Sequence, residues 1–119
     1  MIRIYENNLL WSQRLKLSLA DCGDELEIFS KPLQAGTFEQ EHALANVRIA
    51  IVNLGSNQYD APQLIQFLKK NHVKIIAHAG HKEGRLLDAG KTSGADLVVT
   101  NRELTVRASA LINEFLRES

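Results

Sequence analysis

The chain has a single cysteine, Cys22, among its 119 residues. One thiol cannot close an internal disulfide, so a reducing cytoplasm is the expected compartment. Cys22 falls near the end of a helical stretch and reads as a small buried hydrophobe rather than a nucleophile. Charge of one sign is equally scarce, since 14 Lys and Arg balance 14 Asp and Glu. That balance speaks against direct attraction to nucleic acid or to anionic lipid. Acids outnumber bases before residue 61 and bases outnumber acids after it, a tilt that reads as solvated surface. No apolar run reaches membrane-spanning length, and the opening MIRIYENN has no signal-peptide character. Repeats and low-complexity tracts are missing too. A single domain over 1–119 is expected, long enough to bury a core without disulfides or a structural metal.

What the chain does contain is alternation. IRIY (2–5) is a β-branched run that stops at Glu6-Asn7-Asn8. From Leu9 to Cys22 a helical period takes over, with Trp11, Leu15, Leu19 and Cys22 on one face and Leu10 and Leu17 widening it. Gly23 suits the helix end. ELEIFS (25–30) alternates polar and apolar, as a strand nearer the edge does. TFEQEHALA (37–45) reads as a short helix, with Thr37 and Gln40 able to cap each other's free amides. VRIAIVN (47–53) is the most strand-like run of all. Asp60 then caps APQLIQFLKKN, where Pro62 is tolerated in the first turn. VKIIAHA (73–79) is a fourth strand, followed by a looser helix over 82–92 that Gly84 and Gly90 weaken. ADLVVT (95–100) is the fifth strand. Thr100 and Glu103 form a capping box, and Leu104, Ala108, Leu111, Ile112 and Phe115 share one face of the last helix.

Strands alternating with helices at this spacing predict an α/β fold, a flavodoxin-like, doubly wound, five-stranded parallel sheet with helices on both faces. The expected strand order is 2-1-3-4-5, which opens a crevice between the carboxyl ends of strands one and three. Glu6, Asn7 and Asn53 are the residues expected to face it.

Several landmarks go further than the fold. Glu6-Asn7 closes the first strand, Gly23 follows the first helix, and Asn53 closes the third strand with Asp60 seven residues on. Leu64, Ile65 and Leu68 space the next helix, and Gly94-Ala95-Asp96 leads into the fifth strand. Together they resemble response-regulator receiver domains of the CheY-like family, across essentially the whole chain. The resemblance places Glu6 and Asn7 at the acid pair that holds magnesium in receivers, and Asn53 at the phosphoacceptor aspartate. It places the hydroxyl position at Ala77 or His78, the aromatic switch position at Val98, and Asn101-Arg102 where receivers carry Lys-Pro. The segment from His78 to Asn101 also resembles a loose set of stand-alone bacterial receiver-like proteins, whose fourth strand ends in a Gly/His-containing turn.

The layout matches while the chemistry does not. An amide oxygen is a feeble nucleophile and brings no charge to Mg²⁺. Asn7 leaves Glu6 as the one acid of its pair, and Asn101 offers no cation to a phosphate. The resemblance therefore implies a degenerate pseudo-receiver lacking the phosphoacceptor aspartate, with no catalytic residue, cofactor or metal. Asn7 and Asn53 are expected to satisfy one another and nearby main chain by amide hydrogen bonds. The function expected is a non-enzymatic signalling or adaptor role exercised through protein–protein contacts, by a stand-alone adaptor or a fragment of a longer chain. Partners implied are a histidine kinase or another signalling protein, or a second copy meeting through the last two helices and the fifth strand. Arg85, Val98, Arg102 and Arg107 mark that face, with Lys82 and Lys91 nearby, and the plainer reading of these bases is a solvated rim. Two other readings stand beside it, a degenerate response regulator still phosphorylated in a two-component phosphorelay, and a binder of a nucleotide or metabolite at the strand-end crevice.

His78 and His81, three apart in AHAGH, invite a zinc reading, but no acid or cysteine stands beside them at ligand spacing, so they read as polar residues of a strand-end loop. His42 and His72 fall at helix surfaces or ends, where His72 complements a helix dipole. GKTSG (90–94) lacks the preceding glycine of a phosphate loop and leads into a strand rather than a helix.

Overall fold

The run Ile49–Asn53 is apolar until its last residue, and in the computed structural model it is the middle strand of the sheet. The structure describes residues 1–33 and 46–118. The helix expected over 37–45, with Thr37, Gln40 and His42, lies outside the described residues.

Five parallel strands are β1 (Ile2–Tyr5), β2 (Leu26–Phe29), β3 (Ile49–Asn53), β4 (Lys74–Ala79) and β5 (Leu97–Thr100). They lie in the order β2-β1-β3-β4-β5, as expected. The helices are α1 (Leu9–Ser18), α2 (Ala61–Lys70), α3 (Gly84–Ser93) and α4 (Asn101–Glu118). β2 is half-buried along its whole length, as an edge strand should be, whereas β1 and β3 are buried on both faces.

Alternation along each strand divides the core in two. Ile2, Ile4, Ile49, Ile51, Ile76 and Val99 face α1 and α4, where Leu15, Leu19, Leu104, Ala108, Leu111 and Ile112 meet them. Tyr5, Ala50, Val52, Ile75 and Ala77 face the other way, toward Leu64, Ile65 and Leu68 of α2 and the half-buried Leu86 and Leu87 of α3. Full burial of each isoleucine, leucine or valine among them is worth roughly 1.5–3 kcal/mol.

The helix ends follow local chemistry. The Asp60 carboxylate accepts the Gln63 amide at 3.0 Å at the start of α2. Thr100 Oγ1 accepts the Glu103 amide at 3.1 Å, and Glu103 reaches back toward the Thr100 amide at 3.5 Å. Gly90 does more than weaken α3. A Cβ there would lie 2.9 Å from Leu54 Cδ1, so glycine is what lets α3 approach the loop after β3.

The first helix differs from expectation. It stops at Ser18, and a separate 3₁₀ turn, Ala20–Cys22, closes the segment on Gly23 at φ +75°. Leu10 and Leu17 do not widen its buried face. They are 72% and 76% exposed, because the helical repeat turns them away from Leu15 and Leu19. Cys22 is half-buried, with its sulfur 3.8 Å from Ser109 Oγ.

Candidate functional site

Register carries the site outward from the core. Ile4, Ile51 and Ile76 are in line across β1, β3 and β4, and Leu97 continues the row on β5. Two residues further along, the same face presents Glu6, Asn53 and His78, with Asn101 just past the end of β5. The row changes from isoleucine to polar groups at the carboxyl ends of the strands, where parallel sheets leave their crevice.

Asn53 is held at every polar atom. Its Nδ2 donates to Glu6 Oε2 at 2.8 Å, and its Oδ1 accepts the Gly55 amide at 2.9 Å. Its own amide donates to the Tyr59 hydroxyl at 3.0 Å. That hydroxyl shares its one proton between the carbonyls of Asn53, at 2.9 Å, and Tyr5, at 3.0 Å. Burial raises the Tyr59 pKa, so the hydroxyl keeps the proton that ties β1 to β3. Tyr5, beneath it, is pushed up to about 12 by burial, against a hydrogen bond from Arg3 that acts the other way.

Glu6 is 4% exposed, and its second oxygen accepts the Asn8 amide at 3.0 Å. Among the described residues it has no ion-pair partner. Hydrogen bonds, not a cation, compensate its buried charge.

His78 is 2% exposed and stacks on Trp11, ring centroids 4.8 Å apart at 25°. Its Nδ1 lies 2.6 Å from Asn101 Oδ1. Burial depresses the imidazole pKa, while the Asn101 bond and the Glu6 charge pull the other way. In the neutral tautomer Nδ1–H donates to Asn101, and Nε2 is a buried acceptor with no hydrogen-bond partner among the described residues.

Glu6, Asn8, Trp11, Asn53, His78 and Asn101 line a cavity of about 120 Å³. Asn7 is not among them. It is exposed on the bend after β1, and Asn8 enters instead because its side chain caps α1, accepting the Trp11 amide at 3.1 Å. The expected Asn7–Asn53 pairing is therefore replaced by Glu6–Asn53. His78 is no loop residue, since β4 runs to Ala79 and buries it, whereas His81 is exposed in the turn beyond. Ala77 points into the opposite core, so of the two candidates His78 stands at the crevice. From sequence Trp11 was expected only on the packed face of the first helix, and Tyr59 was not singled out. Trp11 lies in the first turn of α1 and reaches the strand ends through its stack on His78, and Tyr59 is a lone aromatic in a polar loop.

The residues expected to mark a partner face separate. Arg85, Arg102 and Arg107 are exposed on α3 and α4. Val98 is half-buried in the core beneath α2 and α3. Arg102 and Arg107 line a shallow groove of about 290 Å³ with Thr100, Glu103 and Val106.

Solved structures match this architecture along its whole length. The receiver domain of NtrX from Brucella abortus superposes with a TM-score of 0.79 at 15% identity, covering all of both chains. The fold is that of a receiver domain. A signal receiver domain of a signal transduction histidine kinase from Syntrophus aciditrophicus gives 0.77 at 20% identity, over 98% of this chain and 89% of that one. A CheY-like receiver domain protein from Methanospirillum hungatei gives 0.70 at 19%, over 99% and 97%. No family model matches the sequence, and no curated protein does.

The receiver fold raises the question of magnesium, and the residues at this crevice do not fit it. Mg²⁺ wants near-octahedral oxygen ligands, commonly one or two carboxylates plus phosphate and water. Here the one carboxylate already accepts a hydrogen bond at each oxygen, and the amide oxygens of Asn53 and Asn101 are engaged. No group of three or more His, Cys, Asp or Glu that could hold a metal occurs among the described residues. Nor does a described helix have the length and apolarity to cross a membrane.

Proposed function

We propose that the chain is a pseudo-receiver, a non-enzymatic signalling or adaptor module that works through protein–protein contacts without aspartyl phosphorylation. The observation that carries this reading is the 2.8 Å bond from Asn53 Nδ2 to Glu6. At the position where a receiver needs a free carboxylate facing a metal, this chain has an amide already donating to the one acid present. Asn101, at the position of the phosphate-pairing lysine, is occupied with His78. The crevice is wired internally and favours one arrangement where a phosphorelay needs two. Its volume of about 120 Å³ also falls below the roughly 300–1,000 Å³ of ordinary small-molecule pockets, which disfavours a nucleotide there.

Titration of the ¹⁵N-labelled chain with beryllofluoride and Mg²⁺, and separately with acetyl phosphate and Mg²⁺, tests the reading. The amide signals of Glu6, Asn53 and His78 are expected to stay in place. Saturable movement of those signals would sink it in favour of a receiver that still switches.

A further inference from the structure

Two buried side chains at the crevice keep acceptor capacity that no hydrogen bond among the described residues uses. Glu6 is held by the Asn8 amide and by Asn53 Nδ2, both neutral donors, which leave its charge in place. A carboxylate has about four lone-pair sites, so part of its capacity stays open. His78 gives Nδ1 to Asn101, and its buried Nε2 finds no donor among the described residues. A buried acceptor left without a donor is costly. Both residues line the same small cavity, and the Glu6 charge acts on the imidazole. With that imidazole neutral, Glu6 is the one charged side chain of the lining. Trp11 adds an aromatic wall, and an indole face attracts cations.

These groups select a ligand by its chemistry. An anion meets the Glu6 charge with no cation in the lining to offset it. A transition metal finds one imidazole and one carboxylate, short of the three protein ligands of a catalytic zinc site. Hard cations such as Mg²⁺ and Ca²⁺ take oxygen ligands and leave the imidazole nitrogen unanswered. A guanidinium spreads five donors over a flat fork, more than these acceptors match. An ammonium is compact, carries one positive charge and has N–H donors for both groups. We infer that the crevice binds a primary ammonium group, with Glu6 and His78 Nε2 as its acceptors and Trp11 against its methylene stem. The group arrives on a small free amine or at the tip of a partner's lysine. The inference rests on the reading of the crevice as one without metal or phosphoryl chemistry, and names what the site takes instead.

The test uses the full chain near neutral pH and follows Trp11 emission with the amide signals of Glu6, Asn53 and His78. Ethylammonium and Nα-acetyl-lysine methylamide are the probes. Each is compared, at matched ionic strength, with a cation whose charged nitrogen has no N–H donor, tetramethylammonium for the first and the Nζ-trimethylated lysine compound for the second. The primary amines are expected to move the signals saturably and to bind roughly tenfold or more tighter than the donor-free cations. Glu6→Gln is expected to weaken the amine by roughly tenfold or more. His78→Phe, which keeps an aromatic ring against Trp11, is expected to weaken it too. Circular dichroism checks that both variants fold, and if either does not, the comparison of cations on the unaltered chain decides. No saturable response to either amine, equal affinity for the donor-free cations, or unchanged affinity in folded Glu6→Gln overturns the inference. Response to the lysine compound supports the site with a protein lysine as source, and response to ethylammonium alone supports it with a free amine. Beryllofluoride with Mg²⁺, added to separate samples, keeps the two readings apart. A response to it with the amine response intact removes the pseudo-receiver reading alone, and silence toward both removes the ammonium site alone.

Discussion

Two neighbouring rows of side chains cross the same face of the sheet. Ile4, Ile51 and Ile76 form one, and Glu6, Asn53 and His78 form the next, two residues further along each strand. Both are buried or nearly so. The inner row is held by packing under α1 and α4, and can change only at the cost of a void. The outer row is held by directed bonds that engage every side-chain polar atom of Glu6, Asn53 and His78 except the His78 Nε2. The contrast teaches where a fold can shed one chemistry and keep its shape. The inner row sets the shape of the sheet and its helices, while the outer row can carry amide in place of charge where neighbouring groups supply the hydrogen bonds.

Breaking the inner row is the most damaging change. Ile51→Ala is expected to cost about 2–5 kcal/mol in urea unfolding, through lost burial and the cavity left between helix and sheet. Next comes restoring an acid to the outer row. Asn53→Asp sets a second carboxylate against Glu6 and removes the donor between them. A loss of about 1–3 kcal/mol at pH 7 is expected. The loss should shrink as pH falls, because a proton shared by the two carboxylates removes their repulsion, and a loss that ignored pH would contradict the account.

Tyr59→Phe tests the outer row more gently. It takes the hydroxyl from the Asn53 amide and from the Tyr5 carbonyl, and about 1–2 kcal/mol should be lost. Faster hydrogen exchange at the Asn53 amide would accompany that loss.

The smallest effect is a pH dependence at His78. Its folded pKa is depressed by burial, so between that value and the ordinary 6.5 the unfolded chain holds more protons than the folded one. Stability is therefore fully present above about 6.5 and declines as pH falls through the folded value, with a slope of at most ~1.4 kcal/mol per pH unit. Comparing wild type with His78→Gln between pH 7.5 and 5.5 isolates this share, and identical slopes would show that His78 contributes none of it.

Much of this was legible in the sequence, for reasons that also mark the limit. Strand order followed from strands and helices taking turns, and the caps at Asp60 and Thr100 from side chains whose only neighbours are local. The crevice was harder because strand side chains alternate. A shift of one residue decides between Ala77 in one core and His78 at the site, and no local pattern resolves it. Asn7 and Asn8 are equally polar, and the bend after β1 chooses which turns inward. Leu10 and Leu17 looked like core because leucine usually is, and only the phase of the helix against the sheet shows that they face out.

The stack of Trp11 on His78 has an optical consequence. Trp11 is the only tryptophan in the chain, and it lies against the imidazole that lines the crevice. The molecule therefore carries its own dye at the crevice, where a rearrangement around His78 would reach the indole directly. Its emission can be followed without a label, in any mixture of partners that lack tryptophan.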